Sequence, residues 1–230
     1  MEHTTAHHVL LSLETSGSSC SVALHQNGRL IAYAELHQEK SHSGRLTLLI
    51  EELLRHSNLS PQNLTAVAVS AGPGSYTGLR IGVSTAKGLC FALGIPLLAV
   101  DTLQAMSYGV AAQGIVPPEV LLCPCIEARR MEIYRAIWDA AHHCLLPAEP
   151  HILTPHSFDD FSTRPLWLFG SGAEKTFATI QHPNKYWLPH VQPSARFIGE
   201  LALRAPQVVD IAYFEPQYIK PFYTPAQQAP

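Results

Sequence analysis

Residues 9–13 form a short apolar run, and residues 19–26 alternate around Val22 and Leu24. Asn27-Gly28 is the strongest two-residue hairpin signal a sequence can carry, and residues 29–36 continue with strand character, so the pattern predicts three antiparallel strands. Leu46, Leu49, Ile50, Leu53 and Leu54 then recur at helical spacing, which predicts an amphipathic helix over 42–56. Residues 65–70 (TAVAVS) read as a buried strand. A glycine-rich turn, AGPGSYTG, leads into a second helix over 77–93, and residues 96–100 close the half as a strand-like passage.

The second half repeats this order more faintly. Residues 120–126, 131–138 and 144–153 read as strands, 156–161 as a short helix, 166–169 as a strand, and 173–180 and 194–203 as helices. Two copies of β-β-β-α-β-α without residue-level identity predict an α/β protein of two layered domains, each a mixed sheet with helices packed on it. The domains are expected at 1–103 and 104–230, joined near 101–112. From Pro216 onward the chain is Pro-rich and is expected to be irregular.

Composition narrows the class. The chain has 230 residues with 15 Lys+Arg against 18 Asp+Glu, and its net charge of −3 argues against a protein that grips nucleic acid by itself. Charged residues make up 14%, well below the roughly 25% usual in soluble domains, which implies that a partner covers part of the surface. The longest nearly apolar stretch, 89–100, contains Gly94 and Pro96 and is too short to span a bilayer. Five cysteines without CxxC spacing read as reduced thiols of a cytoplasmic protein.

Gly72-Pro73-Gly74-Ser75-Tyr76-Thr77-Gly78-Leu79-Arg80 is the most informative stretch. It is not a Walker A loop, since no GK[ST] follows, and it fails as a nucleophile elbow, since Pro73 and Thr77 stand where glycines are needed. Ser75 is therefore expected to be a turn residue or a helix cap rather than a nucleophile. In the helix that follows, Leu79, Val83, Ala86, Cys90 and Leu93 form the core stripe, while Gly78, Gly82, Thr85 and Leu89 lie on the other side. Helical glycines imply close backbone approach by something, either the first helix or another subunit. Leu48, opposite the core stripe of the first helix, is a spare apolar residue. Among 13 histidines no metal pair emerges: the helix that His42 opens has Arg45 and Leu46 where a second ligand would stand, and Cys123 and Cys125 lack a partner pair. No metal site and no catalytic residue is assigned.

Two polar turns have the residue types that hold nucleotides. Glu14-Thr15-Ser16 ends the first strand, and Gly170-Ser171-Gly172 follows a strand in the second half. An acid with hydroxyls at such a hairpin suits phosphate and Mg²⁺; a strand entering Gly-x-Gly-Ala suits an adenosine. Ordinary hairpins and helix starts use the same residues. Glu127-Ala128-Arg129-Arg130, the one basic cluster, has the chemistry to reach phosphate or a partner's carboxylate, although a solvated hairpin tip is the commoner reading.

Taken in order, LSLETSGSSCSVAL (11–24), SHSGRLTLLI (41–50), AGPGSYTGLRIGVSTAKGLCFALGIPLLAV (71–100), CIEARRMEIYRAIWD (125–139), GSGAEKT (170–176) and YFEPQYIKPF (213–222) resemble the TsaB (YeaZ) family of accessory proteins in threonylcarbamoyladenosine synthesis. The third segment is the most specific. The resemblance implies two RNase-H-like domains of the actin/Hsp70/sugar-kinase-like (ASKHA) fold. It implies a noncatalytic scaffold that pairs through its first two helices, with itself when free or with the catalytic paralogue TsaD, beside a small ATPase, TsaE. The tRNA would then be met only through the complex, with no membrane involved. The contact residues expected on that face are His42, Arg45, Leu46, Leu48, Leu49, Gly78, Ile81, Gly82, Thr85 and Leu89. No cofactor is required on this reading, and ATP or ADP would sit only at the interface with partners. Glu14 and Glu127 stand where the family commonly has aspartate, which weakens nucleotide binding through them. The rival readings are a free-standing ATPase or small-molecule kinase of the same fold, and a hydrolase working through Ser75 or a histidine.

Overall fold

The computed structural model describes residues 8–37 and 42–219, without the side chains of His42 and Ser43. The first half contains β1 (Val9–Glu14), β2 (Cys20–Gln26), β3 (Arg29–Leu36), α1 (His42–His56), β4 (Ala66–Gly72), α2 (Tyr76–Leu93) and β5 (Leu97–Asp101). Then come α3 (Thr102–Ala111), β6 (Leu121–Glu127), β7 (Glu132–Asp139), β8 (Cys144–Ile152), β9 (Leu166–Phe169), α4 (Ala173–Thr179), β10 (Lys185–Leu188), α5 (Ala195–Arg204) and β11 (Val208–Val209). One sheet runs β11-β5-β4-β1-β2-β3 and the other β10-β9-β6-β7-β8. In each, an antiparallel meander is extended by parallel crossover strands, so 5-4-1-2-3 in the first matches 10-9-6-7-8 in the second. This duplicated topology is the α/β architecture of two RNase-H-like units of the ASKHA kind.

Local chemistry accounts for the elements. Asn27 (φ 51°) and Gly28 (φ 80°) both take the left-handed conformation that a two-residue hairpin of native twist requires. Ser75 caps α2 by accepting the Gly78 N–H, and Gly94 ends it at φ 67°. Leu46, Leu49, Ile50, Leu53 and Leu54 of α1 pack with Val83, Ala86 and Cys90 of α2 on one face of the first sheet. The other face is covered by α5, through Ile198, Leu201 and Ala202, and by Ala105 and Tyr108 of α3. On its opposite side α3 gives Leu103, Met106 and Val110 to the second sheet, whose far face carries α4.

Several expectations differ from this. The join expected at 101–112 is α3, a helix buried between the two sheets. Its sequence, TLQAMSYGVA, has no charged residue, so no amphipathic pattern announces it. The helix expected at 156–161 is only a short 3-10 turn, Asp159–Phe161. Ahead of it the Ser157 hydroxyl accepts the Thr154 N–H at 2.8 Å, a local bond that competes with a helix. β10 and β11 are additional strands. Finally, α5 and β11 return to the first sheet, so that layer draws on the end of the chain as well as on 1–103. Among the described residues no helix is long and apolar enough to cross a membrane.

Candidate functional site: an enclosed hairpin, a cleft and an outward helix face

The β1–β2 hairpin is locked into the first domain. The Thr15 hydroxyl donates to the Gly78 carbonyl at 2.7 Å, and the Ser75 N–H donates to the Ser16 carbonyl at 2.7 Å. Neither Glu14 nor Thr15 is exposed. Glu14 accepts from the Ser16 N–H and, at 3.1 Å, from the Ser70 hydroxyl, while its second carboxyl oxygen has no partner among the described residues. Burial pushes this carboxyl above its ordinary value, against the hydrogen bonds that pull it down. A buried acid held toward its protonated form, beside a threonine bonded to backbone, does not fit a phosphate–Mg²⁺ site.

Between the two sheets lies a cleft of about 410 Å³, lined among others by Ser16, Gly74, Ser75, Glu127 and Ser171. Of the six residues expected to hold nucleotide, Ser16 and Ser171 line it. The Ser171 hydroxyl accepts the Glu127 N–H at 3.0 Å. Gly170 (φ 98°) and Gly172 serve the turn itself: side chains there would meet the Cys125 carbonyl at 2.5 Å and Ile133 at 3.0 Å. The Glu127 carboxylate pairs with Lys175 at 3.3 Å, and that ammonium also binds the Arg130 carbonyl at 2.8 Å. The basic turn is thus pinned by a lysine outside it. Among the described residues no three His, Cys, Asp or Glu gather as a metal site would need.

The two faces of α2 separate the expected contact residues. A side chain at Gly78 would run into the Thr15 carbonyl, and one at Gly82 into the Thr15 hydroxyl. What approaches the glycines is therefore the chain's own hairpin, which corrects the expectation that they carry a contact with another subunit. Leu46 and Leu49 are likewise buried in the first core. Arg45 and Leu48 point outward, Leu48 at 56% exposure, and Ile81, Thr85 and Leu89 are half-buried. The side chain of His42 lies outside the described residues.

Sequence reasoning missed three features of this face. Phe91 is 81% exposed, and Gly88 faces open space. The third is a strap, residues 210–218, laid along α2. Lys87 donates to the Phe214 carbonyl at 3.0 Å, Arg80 donates to the Tyr218 hydroxyl at 3.2 Å, and the Tyr218 ring packs against Tyr76 at 4.9 Å, tilted by 39°. The Gln217 N–H binds the Ala71 carbonyl at 2.7 Å. Both charges of α2 are thus taken up by the strap, which leaves the rest of its outward side apolar or small. Carbonyl partners have no sequence signature, although two lone cations on an otherwise apolar helix were a hint.

Comparison with known proteins fits this architecture. A family model described as TsaD, tRNA N6-adenosine threonylcarbamoyltransferase, matches residues 31–163, more than half of the chain. The tRNA threonylcarbamoyladenosine biosynthesis protein TsaB of Bacillus subtilis is 36% identical over 56% of this chain and 54% of its own length. TsaB of Haemophilus influenzae is 38% identical over 54% of this chain and 51% of its own. Each match thus spans about half the length of the curated relative. The solved structure of YeaZ from Pseudomonas aeruginosa superposes with a TM-score of 0.77 at 26% identity, covering 92% of this chain and 99% of that one. Fold and sequence together define the class, a two-sheet α/β protein of the TsaD-related kind. Within it the chain belongs to the TsaB/YeaZ family.

Proposed function

We propose that this chain serves threonylcarbamoyladenosine synthesis on tRNA as a noncatalytic subunit, docking through the outward face of α1 and α2 onto the catalytic paralogue TsaD. The observation that supports it most is the contrast within α2. The inward glycines are filled by Thr15, whereas Leu48, Gly88 and Phe91 are exposed, and Ile81 and Thr85 half-buried, uncharged residues on helices already anchored to a sheet. Apolar patches of this kind mark protein contacts. The same face would serve a homodimer of the free protein, TsaE would join the assembly, and tRNA would be bound by the complex in the cytoplasm. No cofactor is required of this chain, in keeping with the enclosed Glu14 and Thr15.

Reconstituted transfer of the threonylcarbamoyl group to tRNA tests the reading. The catalytic paralogue should need this chain for full activity, Phe91→Arg should abolish the stimulation, and Glu14→Gln should leave it intact. ATP turnover by the isolated chain, lost in Glu14→Ala, would instead establish the free-standing ATPase or kinase.

A further inference from the structure

The second sheet ends in a groove of about 580 Å³ that is separate from both the cleft and the helix face. It is bounded by Pro117 and Pro165, at the N-terminal ends of β6 and β9, and by Trp167, Tyr186 and Trp187. Tyr186 is 54% exposed and Trp187 39%. β10, which carries both, is an edge strand bonded among the described residues only to β9. Aromatic and proline side chains bordering an unpaired strand are the surface that recognises extended, proline-containing segments.

The charges at the groove are unequal. Lys185 spends its ammonium on the Phe177 and Ile180 carbonyls, at 2.7 and 2.6 Å, closing the end of α4. Arg164 spends its guanidinium on the Glu119 carbonyl at 2.9 Å and the Pro118 carbonyl at 3.3 Å. The Glu119 carboxylate, also on the groove wall, is exposed and makes no hydrogen bond or ion pair among the described residues. A matching occupant is extended, rich in proline and aromatic residues, and carries a cation near one end.

We propose that this groove takes residues 220–230 of a second copy of the chain. That segment reads KPFYTPAQQAP and follows directly on the strap. Lys220 pairs with Glu119, and Pro221, Phe222 and Pro225 cover the tryptophans. Prolines with preset φ keep the ordering loss small. The source is a second copy because of where the strap leads. Gln217 is fixed at the C-terminal end of β4, beside the cleft, whereas the groove lies at the far ends of β6 and β9. The strap is thus held on the first sheet, whereas the groove belongs to the second. Reciprocal exchange between two copies closes a two-fold dimer.

The test uses the full chain with a photoreactive benzoylphenylalanine in place of Phe222, in an equal mixture of isotopically light and heavy copies. Irradiation should link position 222 to peptides of β9 and β10, with about half of the links joining a light to a heavy chain, the statistical share for exchange between two copies. Glu119→Lys should lower the yield several-fold, and adding Lys220→Glu should restore it. Links confined to single-isotope chains, links elsewhere on the surface, or a yield indifferent to Glu119→Lys would each overturn the proposal.

Discussion

The inward and outward sides of α2 are built from the same kinds of residue and do opposite things. Inward, Gly78 and Gly82 lack side chains because Thr15 occupies that space, and the small residues there secure the hairpin that carries Glu14. Outward, a side chain at Gly88 would meet no described residue within 4 Å, Thr85 is half-buried, and the two cations of the helix have been drawn aside by the strap. A helical glycine is thus no guide to an interface until what fills its space is known. The inward side is where substitution should damage the fold, and the outward side is where it should damage assembly.

The largest effect is expected at Gly78→Val, which drives a branched side chain into the Thr15 carbonyl. Urea denaturation should show a loss of about 3–5 kcal/mol or no folded protein; a stable variant would mean the hairpin is not seated on α2. Thr15→Val keeps the volume but leaves the Gly78 carbonyl without its buried donor, with an expected loss of about 1–3 kcal/mol in the same measurement.

Acid–base linkage probes the same enclosed end of the first sheet. Asp101 pairs with Gly72 across β4 and β5 and caps α3 by accepting the Gln104 N–H at 2.7 Å. Burial holds its carboxyl up at about 6, against an ordinary 3.8. The folded form therefore binds this proton more tightly than the unfolded chain. Its contribution to stability is full below pH 4 and is lost as the pH rises toward about 6. The expected decline is about 3 kcal/mol over that window. Asp101→Asn keeps the cap and should flatten this part of the pH profile; an unchanged slope would place the titration elsewhere.

The outward side should respond gently. Gly88→Ala meets open space in a helix interior and is expected to raise stability by about 0.5–1 kcal/mol, read as a higher melting temperature. A destabilised variant would show that something packs there after all.

Much of this was legible before any coordinates. The Asn27-Gly28 hairpin, the limits of α1, the strand at 166–169 and the Ser75 cap rest on local signals, namely turn chemistry, helical spacing and capping. The duplicated topology was legible because strand and helix periods alternate in the same order twice. α3 was not, because a helix buried on both sides loses its polar face. β10 is four residues at an edge, too short to establish a period. The orientation of Gly78 and Gly82 was illegible for a plainer reason: glycine has no side chain to report burial, and its filler lies more than sixty residues earlier in the chain. The paired polar turns were found by residue type, but type could not reveal that Glu14 and Thr15 face inward while Ser16 and Ser171 face the cleft.

The central claim, that the outward face of α1 and α2 is the docking surface, is tested most directly with Leu48→Arg. The change should alter stability by no more than about 0.5 kcal/mol, since this leucine is exposed. Light-scattering mass should then be measured for the wild-type and variant chains, each mixed with the catalytic paralogue from the same organism. The account predicts one species at the summed mass for the wild type and two separate species for Leu48→Arg. A variant that pairs as fully as the wild type would contradict it.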